Sequence, residues 1–166
     1  ALPFRHGLFC VDAFAGRIGT GNPAGVCLLR KPEDPTWMEA VAREVNLSET
    51  AFVVQQENGF SLRWFTPAVE VDLCGHGTLA AAHILFEKGY TGMRGTARFF
   101  TRSGVLTARK SGSLIRMEFP AEPDSEIPAP AGLTGALGVQ SHYTGKNRFY
   151  YLVEVGSEKE VRNMAP

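Results

Sequence analysis

Five consecutive residues, Cys74-Gly75-His76-Gly77-Thr78, place a thiol, an imidazole and two glycines at the head of a long apolar run. If that run is a helix, its first backbone N–H groups have no intrahelical acceptor, and with the helix dipole they form a seat for a carboxylate or phosphate. Gly75 and Gly77 would let a ligand approach the backbone closely, and Thr78 would cap the turn or help hold the ligand. His76 has a side chain that changes charge near neutral pH, which suits it to orienting a bound substrate. Cys74 admits two readings. It is either a thiol made acidic by the helix terminus and able to exchange protons with carbon, or a small buried hydrophobe.

A second proton-handling group is Glu49 in Asn46-Leu47-Ser48-Glu49-Thr50, a carboxyl that follows a helix and enters an apolar strand. Partial burial there would suit a general acid or base, whereas the plainer role is a capping or surface carboxylate. Ser48 lies beside it, and Asn22 in Gly19-Thr20-Gly21-Asn22-Pro23-Ala24 offers a further polar side chain in a segment that by itself reads as a loop. His76 and His83 are seven apart without zinc-like partners, and neither a dinucleotide glycine fingerprint nor a phosphate-loop lysine motif occurs, so neither metal nor nucleotide is indicated.

The elements that must position these groups follow from the pattern. Gly7 to Phe14 and Ala24 to Leu29 read as strands around a turn-rich loop, and Thr36 is expected to cap a helix over Trp37 to Val45. Thr50 to Gln55 and Ser61 to Thr66 flank Glu57-Asn58-Gly59, a hairpin signal. Leu79 to Lys88, closed by Gly89, has hardly a polar residue before its last turn and should be enclosed on most sides. Strand-like runs at Ala97 to Thr101, Val105 to Arg109 and Leu114 to Phe119 follow. Many short strands around one buried helix predict an α+β fold, a curved antiparallel sheet or barrel wrapped about that central helix.

Pro, Glu, Ala and Ser crowd together at Pro120 to Pro130, which reads as an irregular interdomain linker. The expected organisation is therefore a first domain over 1–120, a linker over 121–130 and the start of a second, truncated domain over 131–166. In that last part a short helix over Leu133 to Leu137, a strand over Phe149 to Val155 and a helix start at Ser157 are too little to bury a core.

With 17 basic and 17 acidic residues, the chain has no overall field to attract nucleic acid or an anionic membrane. Its three widely spaced cysteines do not form a disulfide framework, no run is long and apolar enough to span a membrane, and the start lacks the blocks of a signal peptide. The expectation is a cytoplasmic protein whose partners are a small substrate and, beyond that, a second copy in a homodimer or another protein.

The ordered segments Val11-Asp-Ala-Phe14, Gly21-Asn-Pro-Ala24, Asn46-Leu-Ser-Glu-Thr-Ala-Phe52, Leu62-Arg-Trp-Phe-Thr-Pro67 and Val71-Asp-Leu-Cys-Gly-His-Gly-Thr-Leu79 resemble the PhzF-type, phenazine-biosynthesis-like proteins of the diaminopimelate-epimerase fold. The resemblance spans about residues 7 to 120, and Phe149 to Pro166 is similar to the start of that family's second domain. It implies two similar domains, each a sheet curled around a central helix, with the active site in the cleft between them. It places the catalytic glutamate on Glu49 and the substrate-orienting histidine on His76, with Asn22, Ser48, Cys74, Gly75, Gly77 and Thr78 around the substrate. Cys74 corresponds to the first of two cysteines used by epimerase and racemase relatives. The later family motif that supplies the opposing acid does not occur in this chain. The function so implied is a cofactor-independent isomerase moving a proton between carbons of a small carboxylate, or the N-terminal portion of one. The competing expectation is a non-catalytic interaction protein, or a short isoform that retains the domain to bind a partner.

Overall fold

The apolar run Ala24 to Leu29 does not alternate because both faces of its strand are covered. Val26 and Leu28 join one core cluster, whereas Cys27 and Leu29 join another, and all four are buried. The computed structural model that shows this describes residues 5–17, 19–91 and 95–165. The chain forms two compact units, Ala1–Pro120 and Ala121–Pro166.

In the first unit the elements are β1 (Gly7–Ala13), β2 (Asn22–Leu29), α1 (Pro35–Val45), β3 (Thr50–Gln56), β4 (Gly59–Phe65), β5 (Glu70–Val71), α2 (Gly75–Glu87), β6 (Thr96–Thr101), β7 (Gly104–Ser111) and β8 (Leu114–Glu118). The sheet order is β1-β2-β3-β4-β6-β7-β8, with β5 paired to β4. Strands from both ends of this order, β1 and β8, lie against α2, as do β2, β3 and β7, so the sheet is strongly curled into a half-barrel around that helix. Ala80, Ala81, Ala82 and Leu85 of α2 are fully buried against Val26, Val53, Leu62, Trp64, Phe99 and Leu106. The small alanines let the helix sit close to the strands. On the outer face, Met38 and Ala42 of α1 cover Cys27, Leu29, Phe52 and Phe65.

Two expectations are corrected here. The sheet is mixed rather than wholly antiparallel: β2 pairs with β3, and β4 with β6, in parallel. Parallel neighbours need a long crossover, and the two helices supply it, α1 between β2 and β3 and α2 between β4 and β6. The cap of α1 is Asp34 rather than Thr36: its Oδ1 accepts from Thr36 N–H at 2.8 Å, and Pro35 occupies the first helical position, where its missing N–H costs nothing.

The second unit holds β9 (Ser125–Glu126), α3 (Leu133–Leu137), β10 (Tyr143–Lys146), β11 (Tyr151–Glu154) and α4 (Glu158–Asn163), with the strands in the order β11-β10-β9. Residues 121–130 are thus not wholly irregular, because Ser125 and Glu126 pair with Lys146 and Gly145. Strand β10 was not anticipated, since Tyr-Thr-Gly-Lys has no apolar alternation. Asn147 makes it, its Oδ1 accepting from the N–H groups of Phe149 and Tyr150 and so turning the chain into β11. No helix among the described residues is long and apolar enough to cross a membrane.

Candidate active site

Glu49 is brought into place by the end of one helix and the start of one strand. Helix α1 stops at Asn46, which adopts a left-handed conformation (φ 52°) and donates its N–H to Ala42 O at 3.0 Å. The chain turns through Leu47 and Ser48, and Gly25 N–H of β2 donates to Glu49 O at 3.0 Å, fixing the backbone where β3 begins. Asparagine tolerates the left-handed region better than most residues, which gives Asn46 a structural reason to precede the glutamate.

The facing groups come from the entry to α2. Glu70 of β5 holds Arg63 in a bidentate pair, both contacts 2.7 Å, and Arg102 in a third contact at 2.7 Å, while Ser103 Oγ donates to Asp72 O at 2.8 Å. These contacts tie the segment before the helix to β4 and to the β6–β7 turn. Cys74 then caps α2: its Sγ accepts from Gly77 N–H at 3.3 Å, and its carbonyl accepts the Thr78 hydroxyl at 2.6 Å.

At this turn four predicted residues converge. His76 Nε2 lies 3.1 Å from Ser48 Oγ and 3.2 Å from Glu49 Oε2, and its Nδ1 lies 3.5 Å from Cys74 Sγ. The His76 and Glu49 side chains are 12% and 21% exposed, enough for a small molecule to reach them. The Glu49 contact is one of distance without alignment, because Oε2 has no hydrogen bond among the described residues despite its closeness to the ring nitrogen.

Of the two readings of Cys74, its burial favours the small buried residue over the acidic thiol. Burial pushes the thiol up to about 12, with the Glu49 charge adding to the rise and the Gly77 N–H opposing it. Desolvation outweighs the helix terminus, and Cys74 is a protonated, buried capping thiol. Gly77 is also not an opening for a ligand. A Cβ there would lie 3.0 Å from both Cys74 Sγ and Trp64 Cδ1, so the glycine serves internal packing. Thr78 is buried, and its hydroxyl and N–H are both committed to Cys74 O. Gly75 alone of the two glycines faces open space. The N–H groups left for a ligand are those of Gly75 and His76, the first two of the helix.

Asn22 begins β2, exposed and paired with Ala13, and among the described residues no hydrogen bond joins its side chain to Glu49 or His76. Its loop is organised by Asp12, whose Oδ2 accepts from the N–H groups of Gly19 and Gly21. Trp64, which lies beneath Gly77 and was not singled out from the sequence, has an Nε1 with no hydrogen-bond partner among the described residues. The inward alternation of Leu62 and Trp64 on β4 was the available signal. Glu49, Cys74 and His76 each offer a ligand atom within 4.8 Å of the others. The carboxylate and the thiol sit nearest to opposite ring nitrogens of His76.

A curled sheet around a buried helix, with polar groups gathered at that helix's first turn, defines the diaminopimelate-epimerase-like class of α+β proteins. The chain belongs to the phenazine biosynthesis-like (PhzC-PhzF) protein family, whose sequence model matches residues 11–161. It is 49% identical over 160 residues to an uncharacterized isomerase of Halalkalibacterium halodurans, covering 96% of this chain and 60% of that protein. The crystal structure of a PhzF-family phenazine biosynthesis protein from Enterococcus faecalis superposes with a TM-score of 0.86 at 37% identity, over 97% of this chain and 61% of the other. A predicted epimerase from Pseudomonas aeruginosa shares the fold, with a TM-score of 0.72 at 22% identity, over 96% of this chain and 62% of that one. The chain thus spans about 60% of the length of these relatives.

Proposed function

We propose that this chain supplies the carboxylate-holding and proton-transferring half of an isomerase that shifts a proton between carbons of a small carboxylate, with neither metal nor organic cofactor. The observation that carries the reading is the meeting of Glu49 and His76 at the open first turn of α2. The substrate carboxylate accepts from the Gly75 and His76 N–H groups, whose partial positive charge stabilises the negative charge that builds up when a neighbouring C–H is ionised. Glu49, as a carboxylate, takes that proton and returns it to a second carbon; where a C=C adjoins the ionised C–H the double bond moves, and the carboxylate is regenerated. His76 faces the same space and orients the substrate, and Ser48 steadies the ring.

The isomerase names of relatives such as the H. halodurans protein support this reading. We read residues 131–166 as the opening of a second domain of the same kind, joined through 121–130, because the family match continues to residue 161. Three free cysteines favour the reducing cytoplasm as its setting. The test is solvent exchange. Small carboxylates incubated in deuterium oxide with the whole protein should acquire carbon-bound deuterium, and Glu49→Gln should slow this about 100-fold or more. Exchange at an unaltered rate in Glu49→Gln overturns the proposal.

A further inference from the structure

The two ring nitrogens of His76 have unlike neighbours. On one side, Cys74 Sγ accepts the Gly77 N–H at 3.3 Å and lies 3.5 Å from Nδ1. The thiol is buried and held protonated, so it has one hydrogen to give, and the Nδ1 lone pair is the acceptor beside it. On the other side, Nε2 is 3.2 Å from Glu49 Oε2 and 3.1 Å from Ser48 Oγ. An ionised carboxylate is an acceptor only. A bare Nε2 lone pair facing it would be repelled, whereas an N–H in that place is attracted. Ser48 Oγ can serve either tautomer and Oε2 is not aligned for a hydrogen bond. It is the nearness of the carboxylate charge on one side and the thiol hydrogen on the other that favours the proton on Nε2.

We propose that Cys74 is a positioning residue that holds neutral His76 in the tautomer with its proton on Nε2, turned toward Glu49 and Ser48. The cysteine acts through the histidine rather than on a substrate. The opposite tautomer would set an N–H against a sulfur already occupied by Gly77 and a lone pair against the carboxylate. The consequence for catalysis rests on the isomerase reading above: the site would present one fixed donor, Nε2–H, next to the proton-transferring carboxyl. The tautomer itself does not depend on that reading.

Long-range proton–nitrogen correlation spectra of the histidine-labelled protein, recorded without substrate near neutral pH, separate the protonated from the unprotonated ring nitrogen. The wild-type protein should show Nε2 protonated and Nδ1 bare. Cys74→Ser, whose hydroxyl can both accept from Gly77 and donate to Nδ1, should keep that pattern, and Cys74→Ala should shift it toward a mixture of the two tautomers. A wild-type His76 protonated at Nδ1 overturns the assignment, as does a Cys74→Ala spectrum identical to wild type. If Cys74→Ala does not fold, the wild-type and Cys74→Ser spectra still decide. Deuterium exchange that ignores Glu49→Gln while this tautomer is observed would remove the isomerase reading and leave the role of Cys74 standing.

Discussion

Cys74, Gly77 and Thr78 are small, and each is turned inward for a different reason: a cap, a packing gap and a bond back to the preceding turn. Their burial gives two checks. Alkylation near neutral pH, followed by mass spectrometry, should label exposed Cys10 and spare Cys27, raised to about 11, and Cys74, raised to about 12. Both thiols ionise near 9.0 when unfolded, so below that pH they add no pH dependence to stability. Above it the unfolded chain loses protons that the folded chain keeps, and stability falls as pH climbs from 9.0 toward about 12. Denaturant midpoints measured across that window should decline, and Cys74→Ser should flatten the slope. Gly77→Ala should cost about 1–3 kcal/mol, because its Cβ would press on Trp64 and Cys74, while Gly75→Ala, with open space around it, should leave stability nearly unchanged. From the sequence the two glycines were indistinguishable. What separates them is Trp64, a residue of another strand that no local pattern connects to the turn.

At the scale of elements, the first turn of α2 depends on the short strand before it. Glu70 is 11% exposed and meets Arg63, at 27%, with two contacts of 2.7 Å, so Glu70→Ala should destabilise the protein by about 1–3 kcal/mol. Arg102→Ala should cost less, since Arg102 is 54% exposed and water screens its pair. Urea unfolding of both variants tests the order, and equal losses would mean that Glu70 does not anchor the segment. The central helix was legible in its almost unbroken apolar sequence, and the β3–β4 hairpin in Asn58-Gly59. The parallel pairings were not, because a strand's own residues do not say on which side its neighbour lies. That is settled by the crossovers through α1 and α2.

At the scale of the whole chain, stability is unevenly shared. Both core clusters lie in the first unit, and among the described residues of Ala121–Pro166 no apolar side chain is fully buried. A three-stranded sheet without a covered apolar face does not hold itself together in water. A fragment of residues 1–120 should therefore retain cooperative thermal unfolding by circular dichroism, and an isolated 121–166 peptide should show none. A cooperative transition in that peptide would contradict the assignment of the core. Glu49, Ser48, Cys74 and His76, with all their contacts to one another, belong to the first unit.

The central claim is that the opening turn of α2 receives a carboxylate beside Glu49. It is tested most directly by titrating the isotope-labelled protein with acetate and following the backbone amide resonances at constant pH and ionic strength. The Gly75 and His76 amides should shift saturably and more than those of Gly77 and Thr78, whose N–H groups are already bonded within the turn. Amides at Gly75 and His76 that do not respond, or that respond no more than exposed amides elsewhere, would contradict the account.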